Sequence, residues 1–140
     1  MSLLILGLSM VVLLLVLGTV AVTSAHLSRM RLLDVADAAA LDAADALDVS
    51  AYRRGVGDVV PLSDATVRAS AGAYLASRRV PVGISAWQVD AGTGSPDGRT
   101  AVVAMSCRAD LPMVGPMLDA LGASVTIHVV SRARADVQPP

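Results

Sequence analysis

The chain has 140 residues, a formal net charge of −1 and only 16% charged side chains against 54% apolar ones, where an ordinary soluble domain carries roughly 25% charge. With a mean hydropathy of +0.63, this excludes a disordered polar chain and indicates that part of the protein lies in lipid. Three aromatic side chains (Trp87, Tyr52 and Tyr74) and a near-zero charge leave no footprint for nucleic acid, and the lone Cys107 excludes an intrachain disulfide framework or a cysteine zinc site.

From Leu3 to Val22 the chain reads LLILGLSMVVLLLVLGTVAV without a charge, and the uncharged stretch runs on to Ala25. Twenty helical residues rise about 30 Å, the thickness of a bilayer's hydrocarbon core, so residues 1–25 are expected to form a transmembrane helix. The competing reading is a secretory signal cut after Thr23-Ser24-Ala25, but the apolar run is longer than a signal core and no basic residue precedes it. Arg29 and Arg31 follow the span, which by the positive-inside tendency puts the C-terminal side in the cytoplasm.

Residues 26–54 contain no Gly or Pro and are rich in Ala, the best helix former, so the helix is expected to continue as an amphipathic rod. On a wheel, Leu33, Ala36, Ala40, Ala44, Leu47 and Ala51 form one stripe, with Asp34, Asp37, Asp42, Asp45 and Asp48 beside it. Alanine buries little area but lets helix backbones approach closely. The stripe is therefore suited either to the protein's own C-terminal domain or to helices of neighbouring subunits, and both readings stay open. The aspartates lie on a regular helix, where carboxylates do not converge on calcium as they do from a loop, and read as a solvated face.

Gly55 and Gly57 are expected to stop this helix, and Val59-Val60-Pro61-Leu62 to link onward. Ser63 has the character of an N-cap for a second helix over 64–79, with Val67, Ala71, Tyr74 and Leu75 at helical spacing. Val82, Ile84 and Ala86 then alternate with Gly83, Ser85 and Trp87, a strand pattern, and AGTGSPDG (91–98) is dense in turn formers. Alternation resumes over 99–111, with Ala101, Val103, Met105 and Cys107 on one side, which predicts a hairpin. After one helical turn near Met117–Leu121, a third strand is expected over 123–135, with Val125, Ile127 and Val129 on one face and a polar tail from Asp136. Residues 55–140 thus read as a small α+β domain in which three antiparallel strands bury one face under helices.

No catalytic, phosphate-binding or metal signature is present. Cys107 and His128 form at most a generic thiol–imidazole pair on adjacent strands, and Cys107 reads better as a small buried hydrophobe, or as the source of an intermolecular disulfide. Trp87 reads as packing. The expectation is a non-enzymatic protein without cofactor or metal.

Arg31 with the run Ala36-Asp37-Ala38-Ala39-Ala40-Leu41, after a single N-terminal membrane helix, resembles the R-x(n)-A-D-A-A-A-L segment of TadE/TadG-like minor pilins of Tad/Flp-type pilus systems, particularly actinobacterial ones. Ser106-Cys107-Arg108-Ala109-Asp110-Leu111-Pro112, Val125-Thr126-Ile127 and Ser131-Arg132-Ala133 resemble that family's closing strands. The resemblance implies a pilin-like fold and a single-pass protein of the cytoplasmic membrane with its domain outside. It also implies partners among other pilin or pseudopilin subunits and the inner-membrane assembly platform. That orientation opposes the arginine rule, and basic residues upstream of Met1 would reconcile the two. The sequence departs from processed pilins in having no glutamate at all, which puts leader cleavage and glutamate-directed insertion in doubt. The alternative is an envelope binding module unrelated to pili, anchored or secreted, using the 91–98 loop.

Overall fold

A computed structural model of the chain describes the backbone of residues 1–54 and 62–134 and the side chains of 1–45 and 62–134. The expected helix stop at Gly55 and Gly57, most of the linker and the tail from Asp136 lie outside the described residues. The element order is α1 (Ser2–Arg54), α2 (Asp64–Ser77), β1 (Ile84–Val89), β2 (Thr100–Ala109), α3 (Gly115–Ala120) and β3 (Thr126–Arg134). This is the α+β layout read from the sequence.

One helix of 53 residues runs unbroken from the apolar stretch into the alanine-rich one, about 80 Å at 1.5 Å per residue. The hydroxyls inside its apolar part turn inward on the helix itself. Ser9 Oγ donates to the Ile5 carbonyl at 2.8 Å, Thr19 Oγ1 to Leu15 at 2.8 Å and Thr23 Oγ1 to Thr19 at 2.9 Å. Each polar group is thereby satisfied without a second chain, as a lipid environment demands.

The second helix starts where Ser63 predicts: its side chain accepts from the Thr66 amide at 3.1 Å. Such a cap supplies one of the four amides that a helix start leaves without a partner. Val67, Ala71 and Leu75 form the buried side of α2. Its far end carries Arg78, whose guanidinium lies 4.9 Å from the centre of the Tyr74 ring.

The three strands form one antiparallel sheet in the order β1-β2-β3, with β2 central. Ala101, Val103, Met105 and Cys107 of β2 and Val129 and Ala133 of β3 point inward, onto α1 and α2. The core is completed by Leu32, Ala36, Ala39, Ala40, Ala43 and Ala44 of α1. Alanines suit this position because a helix laid on a sheet comes closer when its contact side chains are short. α1 thus plays two roles, a free-standing rod below residue 24 and a wall of the head above it.

Two expectations about the strands need correction. β1 begins at Ile84, and a register shift between Ile84 and Ala86 exchanges its faces. Ile84 is buried and Trp87 and Val89 are half-buried against the core, whereas Ala86 and Val82, which simple alternation groups with Ile84, are exposed. The outer face of β2 is not solvated either: Val102, Ala104 and Ser106 are all buried. The hairpin loop doubles back along β2, with Gly94 bridged to Val102. Thr93 Oγ1 accepts from the Ala104 amide and donates to its carbonyl, both at 3.0 Å. The β3 face holds from Ile127 onward, but Val125 lies just before the strand.

The direction of each strand fixes which loops are near the apolar rod. β1 starts, β2 ends and β3 starts at the same end of the sheet. Here Ser24 Oγ donates to the Asp110 carbonyl at 3.5 Å, the buried Ser28 Oγ donates to Gly83 at 2.8 Å, and the Arg31 guanidinium donates to the Val82 carbonyl. The α2–β1 and β2–β3 connections therefore surround the point where α1 enters the head. The 90–99 hairpin lies at the opposite end.

Candidate assembly surface

Two stretches of α1 are candidates for meeting other molecules, the apolar rod and the alanine stripe. The rod is bare. Leu3, Leu6, Leu14 and Val22 are 85, 68, 58 and 71% exposed, and none of the most apolar window of α1 is buried in the protein. By length and composition this helix is long and apolar enough to cross a membrane.

The stripe is not bare. Ala36, Ala40 and Ala44 are 0, 0 and 4% exposed because the chain's own sheet covers them. Of the two readings of the stripe, packing on the chain's own domain accounts for these three residues, which share one core cluster with Met105 and Val103. Leu33 is 38% exposed and sits at the rim, whereas Leu32, its neighbour, is fully buried. The buried face is thus rotated by roughly 50°, half of one residue's turn, toward Leu32, Ala39 and Ala43. Leu47 and Ala51 lie outside the described side chains.

The residues that carry the family resemblance divide in the same way. Ala36, Ala39 and Ala40 are core, Ala38 is half-buried, and Asp37 and Leu41 face solvent. Arg31 is pinned to the backbone at Val82 beside Gly83, where a φ of +85° strains any other residue and a Cβ would press on Ser28 and Arg31. Asp34, Asp37, Asp42 and Asp45 are exposed; the Asp48 side chain lies outside the described ones.

The groups that might have carried chemistry are kept apart. Cys107 pairs in register with Ile127 and points into the core, whereas His128 pairs with Ser106 on the outer face. Thiol and imidazole thus occupy opposite sides of the sheet. Burial pushes the Cys107 thiol above its usual range despite an opposing hydrogen bond from the Ile127 backbone, and a buried, protonated thiol is a poor nucleophile and a poor disulfide partner. Sequence reasoning missed a polar group on the outer face, because it depends on the loop's return path. Asp90 Oδ1 accepts from Ser106 Oγ at 2.6 Å, and its Oδ2 lies 3.3 Å from His128 Nδ1. Burial would raise the Asp90 carboxyl, but hydrogen bonds from Ser106, His128 and Gln88 and the charge of His128 outweigh it, leaving the carboxyl below its ordinary value. Serine, histidine and aspartate are all present, yet the aspartate separates the other two, so the imidazole does not address the hydroxyl as it does in a catalytic triad.

The 91–98 loop is clamped to α2. Arg68 Nε donates to the Thr93 carbonyl at 2.9 Å, Asp64 Oδ1 accepts from the Ser95 amide at 2.7 Å, and the Leu62 amide donates to Gly98 at 2.9 Å. Gly94 is packed so close to the Asp64 carboxylate that a Cβ there would displace it. Near the opposite end, a shallow cleft of about 230 Å³ lies between α3 and the ends of β1 and β2, with Arg108, Asp110 and Asp119 at its rim.

One bare apolar helix, long enough to cross a membrane, carrying a small sheet-backed head defines the architecture. Within it, residues 1–46 match the Tad family model, described as Flp pilus-assembly TadE/G-like. The resemblance read from Arg31 and the Ala36–Leu41 run therefore holds over the span and the first part of the alanine face, and it supports a role in pilus assembly. No curated protein and no solved structure matches the chain.

Proposed function

We propose that this protein is a minor pilin, or a closely related non-enzymatic component, of a Tad/Flp-type pilus system, held in the cytoplasmic membrane by residues 1–25. Residues 26–54 join the span to a head completed by 55–140, which lies outside the cytoplasm. Its partners are other pilin or pseudopilin subunits and the membrane platform that assembles them, and contact runs through the lower half of α1. The supporting observation is that this half buries nothing in its own chain within a segment that matches a pilus-assembly family. Gly7 and Gly18 have open space around them, and at 100° per residue they lie within about 20° of each other, so one side of the rod permits close helix approach.

The test is genetic and chemical. Deleting the gene in its own host should reduce or abolish surface pili, and restoring the chain with Gly18→Leu should restore less than the native chain does. Unchanged piliation after deletion would remove the pilus reading. Photo-crosslinkers placed at Gly7 and Gly18 should capture other pilus components, whereas one at the buried Ala40 should capture none.

A further inference from the structure

Outside α1, the described residues include six large apolar side chains that are well exposed: Val80, Val82, Met113, Met117, Leu121 and Val130. All but Val130 lie in the two connections that surround the entry of α1 into the head. Val82, Met113, Leu121 and Met117 are 83, 75, 73 and 68% exposed. No residue of α3 is buried and its start has no side-chain cap. The head's own packing therefore gives this short apolar turn no reason to exist, and the distribution is far from random scatter.

Its height along α1 supplies the reason. Asp110, from which the α3 connection departs, touches Ser24, two residues or about 3 Å beyond the end of the apolar run at Val22. The headgroup region outside a hydrocarbon core is about 5–7 Å deep on each side, so this connection starts inside it. Val82 and Gly83 meet α1 at Arg31 and Ser28, roughly 9–13 Å above Val22, and an ordinary helix tilt of about 20° toward the head lowers them by a few ångströms. The charges are sorted likewise. Arg29, Arg31, Arg78, Arg79 and Arg108 gather at this end against Asp34, Asp110 and Asp119, a net basic set, while at the other end Arg68, Arg99, Arg132 and Arg134 are balanced by Asp42, Asp45, Asp64 and Asp97. A net basic rim around exposed methionine and leucine fits an anionic lipid surface.

We propose that the lower end of the head rests on the bilayer, with Met113, Met117 and Leu121 entering the boundary between headgroups and acyl chains and Arg29, Arg78 and Arg79 against anionic headgroups. The inference rests on the anchoring of residues 1–25 but not on a pilus role. The head is then held at two places, by its span and by its underside, which fixes its tilt and rotation relative to the membrane.

The full chain is reconstituted into vesicles of equal phosphatidylglycerol and phosphatidylcholine, with an environment-sensitive fluorophore on Met117→Cys, Leu121→Cys, Pro96→Cys or Leu14→Cys; native Cys107 is buried and the unsubstituted chain serves as the blank. Emission at 117 and 121 should be blue-shifted, and quenching by aqueous acrylamide should be about three-fold or more weaker than at 96, as for a side chain at the interface. Protection at 14 combined with quenching at 117 and 121 equal to that at 96 overturns the proposal and leaves the anchor intact. Full quenching at 14 as well overturns both. Protection at 117 and 121 that vanishes as protein is diluted in lipid assigns the surface to a second copy, and likewise overturns it.

Discussion

The lower and upper halves of α1 are one continuous helix built by opposite rules. Below Val22 the side chains are chiefly leucine, valine and methionine, and they bury nothing; above Ser28 one side is buried almost completely, and apart from Leu32 its apolar residues are alanines. The large apolar residues face outward and the small ones face the core, the reverse of a soluble helix. The contrast shows that apolar content reports on solvent and residue size reports on neighbours. Leucines that meet only lipid need no partner in the protein, whereas a sheet that lies close against a helix requires methyl groups there.

The comparison breaks most readily at the one large side chain that α1 contributes fully to the core. Leu32→Ala should cost about 2–5 kcal/mol of head stability, read from denaturant unfolding in detergent by the Trp87 signal. Leu14→Ala should leave that midpoint where it is, and equal losses would mean that the lower half packs on the head. Next, Ala40→Leu should cost about 1–3 kcal/mol by forcing α1 off the sheet; a neutral result would mean that the alanine face is loosely filled.

How far the sequence carried the fold follows from such residues. Ser63, the Val67–Ala71–Leu75 spacing and the Ala101–Cys107 alternation each state their structure locally, because a cap or a period depends on near neighbours only. The partner of the alanine face was not legible, since periodicity gives a direction but not what lies there. Leu32 and Leu33 are adjacent leucines a third of a turn apart, and only packing tells them apart. The exchange of faces at Ile84 comes from one extra residue in β1, and the burial of Val102 and Ala104 comes from Thr93 reaching back across the hairpin. The candidate surface divided in the same manner: the long apolar run was plain from composition, the neighbour of the stripe was left open between the chain's own domain and other helices, and the apolar underside had no periodic signal to announce it.

Two smaller effects sharpen the contrast by testing the head away from α1. Ser63→Ala removes the cap of α2 and should cost about 1 kcal/mol, visible as a lower unfolding midpoint, while Ser9→Ala in the span should not move it. The smallest effect concerns Asp97. The backbone amide of Arg99, then the hydroxyl and amide of Thr100, hold its carboxyl at about 2, below the usual 3.8. A carboxyl depressed on folding favours the folded state above the unfolded value, and that contribution fades as pH falls from near 3.8 toward 2. Carboxyl NMR should place the Asp97 midpoint near 2, and Asp97→Ala should flatten this part of the acid unfolding curve. An ordinary midpoint would show that the turn does not hold its hydrogen bonds in solution.

Ser9, Thr19 and Thr23 donate their hydroxyls to carbonyls one turn below, within α1. These three side chains consequently offer no spare donor to a companion, and a helix laid against them would be gripped by contour. If the rod moves between surroundings, these three hydroxyls travel with it already satisfied, and no directional bond of theirs has to break first.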